Sequence, residues 1–298
     1  MIAKDTEGEV HRNQFSYHRQ AMKRILFWIS TLLVIYIGFI GYVALRQDTF
    51  IFKPRTTTDE AWTQRIESLR ADYISIRADD GEVLEGMFLS DHTKVPRPTI
   101  IFFPGNAMLV EEIAPFFTEL PSAGINVILM DYRGYGLSTG KPDIAWIKRD
   151  AEKIFSAASQ HPEVAHDQIS VWGLSLGTGI ATHVASVQPV KKVILSVPFT
   201  STLDLGMEIF PIIPRALMQK LLHQNLDTLT TASGLLQPAL IFEADDDQQV
   251  PNDHADRIAS VWGGAVELVQ LSGQGHDDFL SNREMWEKVL EFLRAGES

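Results

Sequence analysis

Short, continuously apolar runs recur at residues 99–103, 126–130, 169–172, 192–197, 239–242 and 266–271, bounded by turn residues and separated by stretches of helix length. A strand with one buried face alternates apolar and polar side chains, whereas a strand that is apolar throughout must be covered on both faces. Parallel neighbours also need crossover connections of about a dozen residues or more, and the intervals between the runs supply them. The pattern predicts an α/β fold with a mostly parallel central sheet and helices on both faces. Helices are expected over 109–123, 144–160, 176–188, 253–262 and 281–295, with Asn252-Asp253 and Ser281-Asn282 as starts. Ahead of these runs, Tyr73, Ile74 and Ile76, a turn at Asp80-Gly81, and the stretch from Val83 to Leu89 read as an antiparallel hairpin.

A second feature precedes the sheet. Residues 25–45 hold 21 positions without a charge, which as a helix would reach roughly 31 Å against a hydrocarbon core of about 30 Å. The run is longer than the apolar region of a signal peptide, and it closes on Val43-Ala44-Leu45-Arg46 without a small-residue cleavage pattern. It therefore reads as one N-terminal transmembrane helix, an uncleaved anchor, preceded by a tail at 1–24. Arg12, Arg19, Lys23 and Arg24 precede it, and Arg46, Lys53 and Arg55 follow. That bias puts the N-terminus inside and the domain at 71–298 outside the cytoplasm. Residues 46–70, with Phe50, Phe52, Pro54, Trp62 and a polar run at 56–60, read as a connector. Between 201 and 237 simple strand-helix alternation lapses around Phe210-Pro211-Ile212-Ile213-Pro214, which suggests a cap-like insertion over the strand C-termini.

Composition removes several alternatives. The formal charge is −12, and residues 1–24 carry more basic than acidic side chains, so the body is acidic and ill suited to nucleic acid. There is no cysteine, which excludes disulfides, thiolate zinc sites and cysteine nucleophiles. No H-E-x-x-H pair is present, and no metal or other cofactor is expected.

The chemistry lies in three separated segments. Gly173-Leu174-Ser175-Leu176-Gly177 fits G-x-S-x-G, directly after one apolar run and before a helical stretch, where a sharp turn would expose the serine hydroxyl. The run at 239–242 leads into Asp245, Asp246 and Asp247, and the last run ends at Gly273-Gln274-Gly275-His276. The order serine, acid, histidine makes Ser175 the candidate nucleophile and His276 its base, oriented by one of the three aspartates. His92, His161, His166, His183, His223 and His254 lack such a frame and read as structural or solvated. An oxyanion needs fixed donors, and the backbone N–H groups of Leu176, after the nucleophile, and of Asn106, in the loop Pro104-Gly105-Asn106-Ala107, are the candidates.

These residues resemble the α/β-hydrolase superfamily, and more narrowly the BEM46-like, or ABHD13/ABHD17-like, membrane-anchored hydrolases. The resemblance runs from about residue 72 to the C-terminus. It rests on the loop at 104–107, the run from Asp131-Tyr132-Arg133-Gly134 to Lys141-Pro142, the Ser175 turn, Pro198-Phe199-Thr200-Ser201, and Asp247-Gln248-Gln249-Val250-Pro251. Pro104 stands where that group usually carries a histidine. The D-x-x-V-P frame selects Asp247 as the acid, with Asp245 the main rival, and the 131–142 run is implied to be a structural loop near the site. No Gly-Lys-Ser/Thr follows that run, so it is not a phosphate cradle. The resemblance implies the α/β-hydrolase fold and hydrolysis of carboxylic ester or thioester bonds in small-molecule or lipid-like acyl substrates, through an acyl-serine intermediate. A serine peptidase or amidase, and a non-catalytic membrane-bound scaffold, are the alternatives.

Overall fold

The computed structural model describes residues 5–276 and 278–295, with side chains from residue 17 onward. Among them are eight strands: β1 (Asp72–Arg77), β2 (Val83–Leu89), β3 (Arg97–Phe103), β4 (Asn126–Met130), β5 (Val164–Leu174), β6 (Val193–Ser196), β7 (Ala239–Ala244) and β8 (Val266–Leu271). They form one sheet in the order β1-β2-β4-β3-β5-β6-β7-β8. The β1–β2 hairpin and the β2–β4 pair are antiparallel, and every pairing from β4 to β8 is parallel. The chain leaves β3 for β4 on one flank and later returns to β5 on the other, so the winding reverses beside β3. Open α/β sheets place ligands outside the carboxyl ends of the strands at such a reversal. Register keeps those ends level, since Phe103 pairs with Gly173, Leu174 with Ser196, Ser196 with Phe242, and Ala244 with Leu271.

Alternate side chains of each inner strand enter two cores, which is why the runs are apolar throughout. On one face Ile101, Phe103, Val171, Leu195 and Ile241 meet α5 (Ile144–Ser159), α6 (Leu176–Val187) and α10 (Asp253–Val261). On the other, Ile100, Phe102, Trp172, Ile194 and Leu240 meet α2 (Asp59–Leu69) and α11 (Arg283–Arg294). There Trp172 makes edge contacts with Phe102, Phe117 and Trp286 at ring separations of 5.3, 5.6 and 5.2 Å. The single helix expected over 109–123 is instead α3 (Val110–Ile113), a 3-10 turn (Ala114–Phe117) and α4 (Glu119–Ser122). Pro115 and Pro121 lack the N–H that a continuous helix would use. Within residues 46–70 the polar run starts a helix, because Thr58 Oγ1 accepts the N–H of Ala61 at 3.2 Å and caps α2, whose Trp62 is buried.

The chain divides after Gln47 into two compact units. The first belongs to α1 (Asp5–Ile51), which contains the uncharged run and is, among the described residues, the one helix long and apolar enough to cross a membrane. Its Leu26, Trp28 and Ile35 are about three-fifths exposed. Between residues 201 and 237 lie three short helices, α7 (Thr202–Ile209), α8 (Arg215–Leu221) and α9 (Thr228–Ala232). Ser201 and Asp227 cap the first and the last.

Asp131, at the end of β4, is 1% exposed. One carboxylate oxygen takes the N–H of Val110 at 2.9 Å, and no donor among the described residues reaches the other. Burial, outweighing the Val110 bond and reinforced by the charges of Glu111 and Glu112, pushes its pKa up to about 7. An unfolded carboxyl titrates near about 4, so between these values the folded chain holds the extra proton and stability falls as pH rises. Denaturant titrations from pH 4 to 8 should show the wild type losing on the order of a few kcal/mol relative to Asp131→Asn across that window. Parallel pH profiles for the two proteins would refute the assignment.

Candidate active site

The turn between β5 and α6 is built on close backbone approaches. Ser175 has φ 51° and ψ −116°, a left-handed conformation that side-chain-bearing residues avoid. A Cβ on Gly173 would lie 2.2 Å from Gly177 O, and one on Gly177 would lie 1.9 Å from Phe103 O. Glycine at both positions lets the turn close and lets α6 seat against the end of β3. Ser175 N–H donates to Ser196 O at 2.9 Å, tying the turn to β6, while its carbonyl accepts from Thr178 N and Oγ1. Leu176 opens α6, where the first N–H groups have no partner inside the helix.

The loops after β7 and β8 meet above this turn. His276 Nε2 lies 2.9 Å from Ser175 Oγ, and its Nδ1 lies 2.7 Å from Asp247 Oδ2. The Asp247 side chain is 1% exposed and that of His276 9% exposed, so water barely screens the pair. Burial alone would raise the Asp247 carboxyl. Hydrogen bonds from His276 and from the N–H groups of Val250 and Gln249, together with the imidazole's charge, hold it below its ordinary value instead. An ionised carboxylate only accepts, so Nδ1 carries the hydrogen and Nε2 presents its lone pair to Ser175. The other aspartates are spent elsewhere: Asp245 Oδ1 takes Gln274 N–H at 3.2 Å, and Asp246 Oδ1 takes the Gln248 amide at 2.9 Å. The structure thus brings Ser175, His276 and Asp247 together and keeps Asp245 and Asp246 off the imidazole.

The loop after β3 lies against the same turn, since a Cβ on Gly105 would come within 3.7 Å of Ser175 Cβ. Asn106 is held from outside the sheet. Its carbonyl accepts from Lys53 N at 3.2 Å and from Tyr135 Oη at 2.8 Å, and its side-chain amide donates to Ile51 O at 3.1 Å. Lys53 N also reaches Tyr135 Oη at 3.0 Å. Burial pushes the Tyr135 hydroxyl upward, which keeps it a donor. Tyr132 Oη donates to Pro104 O at 2.9 Å, while Arg133 is buried between Asp150 and Asp80 at 2.7 and 2.9 Å. The glycine-rich 131–142 run therefore props the 104–107 loop through its tyrosines. No group of three or more histidine, aspartate and glutamate side chains among the described residues is arranged to hold a metal ion.

A sequence profile of the Hydrolase_4 family, described as serine aminopeptidase, S33, matches residues 94–255. The chain belongs to this α/β-hydrolase family. Among curated relatives of this Hydrolase_4 chain, protein bem46 of Schizosaccharomyces pombe is 26% identical over 266 residues, covering 85% of this chain and 88% of that protein. The mouse α/β-hydrolase domain-containing protein 17C is 26% identical over 198 residues, covering 66% and 60%. Among solved structures, the Pyrococcus furiosus esterase PF2001 aligns with a TM-score of 0.62 at 21% identity, over 82% of this chain and 97% of that one. Acetyl xylan esterase 1 from Thermoanaerobacterium aligns at 0.59 and 18% identity, over 83% and 96%. At these identities the structural likenesses bear on the fold.

The sequence implied a structural loop at 131–142 near the site, but not that Tyr132, Tyr135 and the backbone of Ile51 and Lys53 hold the 104–107 loop. The aromatic residues inside the 131–142 run were the only local sign of these supports. The closeness of the Ser175 turn makes a direct prediction. Gly177→Ala should destabilise the domain by roughly 1–3 kcal/mol, because its methyl would meet backbone that cannot step aside. Urea denaturation reads this, and an unchanged midpoint would show that the approach to Phe103 is not tight.

Proposed function

We propose that the protein is a membrane-anchored serine hydrolase that cleaves carboxylic ester or thioester bonds of acyl substrates through an acyl-serine intermediate. The observation that carries this reading is the Ser175 Oγ, His276 Nε2, Nδ1, Asp247 Oδ2 line, with hydrogen-bond distances of 2.9 and 2.7 Å at its two joints. In this mechanism His276 Nε2 takes the hydroxyl proton as Ser175 attacks the acyl carbon, and Asp247 stabilises the imidazolium while holding its tautomer. The oxygen that gains charge is met by the N–H groups of Leu176 and Asn106, each worth roughly 2.7–4 kcal/mol in comparable sites. His276 then gives its proton to the departing alkoxide or thiolate, and a water attacks the acyl-serine by the same proton transfer in reverse.

The anchor in this reading is α1, with its N-terminus inside and residues 71–298 outside the cytoplasm, following the basic residues before the uncharged run. It would keep the site near lipid or lipidated acyl substrates. A peptidase reading draws on one specific finding, the serine aminopeptidase description of the matching family. The same three residues would serve it, because amide and ester cleavage share their steps.

The full-length protein should be labelled by a fluorophosphonate probe, and Ser175→Ala should abolish labelling. Ser175-independent labelling, or none, would favour a non-catalytic scaffold. Against p-nitrophenyl acyl esters, acyl thioesters and peptide p-nitroanilides, the esters or thioesters should give the highest kcat/KM, and faster peptide cleavage would reverse the assignment. Asp247→Asn should lower kcat by about 10⁴-fold, the scale seen when the orienting acid of such a triad is lost. Tyr135→Phe removes one of the bonds holding the Asn106 carbonyl, and should lower kcat by about tenfold while KM moves little. An unchanged kcat in Tyr135→Phe would separate Asn106 from oxyanion binding.

A further inference from the structure

The loop between α7 and α8 of the cap presents exposed apolar side chains. Between α7 and α8 the chain reads Phe210-Pro211-Ile212-Ile213-Pro214, and Ile213 turns inward to full burial. Its neighbours Ile209 and Ile212 stand 61% and 63% exposed. The Phe210 ring meets Phe50 edge-on at 5.2 Å, and Phe50 is itself 38% exposed. The same end of α1 is gripped a second time, where Asp48 Oδ1 accepts from Gln224 Nε2 at 2.9 Å and lies 3.1 Å from His223 Nε2. Single exposed apolar side chains are common, whereas Ile209 and Ile212 lie on one loop beside a partly exposed phenylalanine.

The position of the tip along the chain says what covers it. Phe50 is five residues beyond Leu45, the last residue of the uncharged run, within one unbroken helix. Five helical residues advance about 8 Å. If the run spans a bilayer, Phe50 lies at the outer rim of the interface, and the Phe210 ring that touches it lies near the same level. That level favours aromatic and aliphatic side chains that reach the acyl boundary. The loop also belongs to the sheet edge that bears the Ser175 turn, since Ile51, next to Phe50, accepts from Asn106. Other exposed residues, such as Leu236 at 76%, precede a strand and so lie at the opposite edge.

We propose that the α7–α8 loop, through Ile209 and Ile212, is a second membrane contact that docks the cap into the bilayer interface, so that amphiphilic acyl substrates enter the site from the lipid side. The docking rests on the anchor reading of α1 and is independent of the assigned chemistry. The lipid-side entry rests on the hydrolase reading as well.

The absence of cysteine allows a clean test, because each introduced cysteine is the single thiol. Ile209→Cys, Ile212→Cys, Val34→Cys and Leu236→Cys, each labelled with a bimane in the full-length protein, are reconstituted into phosphatidylcholine vesicles with or without nitroxide-bearing lipid. Quenching at 34, 209 and 212 but not at 236 is the expected result. Quenching at 34 alone overturns the docking while leaving the anchor intact, and no quenching at 34 removes the anchor and the docking with it. A signal at 212 that responds to protein density rather than to nitroxide lipid would assign the tip to a second copy and overturn the proposal. For entry, a double variant, Ile209→Glu with Ile212→Glu, should keep its kcat/KM on a short, water-soluble acyl ester. Its rate on a long-chain ester embedded in vesicles should fall about tenfold. Equal rates on the embedded ester for wild type and variant would overturn lipid-side entry, whereas a loss on both esters would mean that the cap itself had been damaged, and would overturn it as well.

Discussion

The architecture of the site depends on how closely α6 can approach the end of β3. The 1.9 Å that a Gly177 Cβ would leave to Phe103 O means that backbone packs on backbone, with no side chain between. That approach brings the first turn of α6, the Ser175 hydroxyl and the 104–107 loop within a few ångströms of one another. It also forces Ser175 to φ 51°, a conformation that costs of order 1–3 kcal/mol. The surroundings overdetermine it, because the Ser175 N–H is committed to Ser196 and its carbonyl to Thr178. Strain in the turn and burial of β5 and β6 are therefore linked: the sheet could relax the serine only by losing pairing at its centre.

Three successive aspartates beside this turn perform different tasks because their partners differ. Asp247 is buried and receives three hydrogen bonds, which hold it ionised despite burial. Asp245 receives the N–H of Gln274, while the Asp246 N–H donates to Gln274 O. Asn282 adds a bond to the Gln274 side chain from the start of α11. Gln274 lies two residues before His276, so the neighbours of Asp247 fix the loop that delivers the imidazole to it. A single strand end thus provides the partner of the imidazole and part of the brace that keeps it in reach.

What the sequence disclosed follows from which contacts are local. The runs at 126–130 and 266–271 coincide with β4 and β8, and the hairpin turn falls where Asp80-Gly81 predicts. β5 begins at Val164, earlier than its apolar run, because the half-exposed stretch around His166 and Asp167 lies outside the part buried on both faces. The apolar spacing over 109–123 predicts one helix, but Pro115 and Pro121 divide it into short pieces. Ser175 and His276 were legible from glycine-framed turns at strand ends, and Asp247 from its frame before Val250-Pro251. The fastening of Asn106 was not, since its contacts to Ile51 and Tyr135 cross 55 and 29 residues and involve backbone groups that leave no mark in composition.

Those long contacts converge on one short stretch. Asp48 and Phe50 hold the cap through Gln224 and Phe210, whereas Ile51 and Lys53 hold the 104–107 loop through Asn106. Arg55 continues the seam, with its guanidinium on Glu112 at 2.6 Å and its carbonyl taking Gly136 N–H at 2.8 Å. The two walls flanking the Ser175 turn, one from the cap and one from the loop after β3, therefore share a support that belongs to no strand of the sheet, although Phe52 within it is buried in the core. A shift of Asp48 to Arg55 would have to move both walls or break hydrogen bonds at one of them.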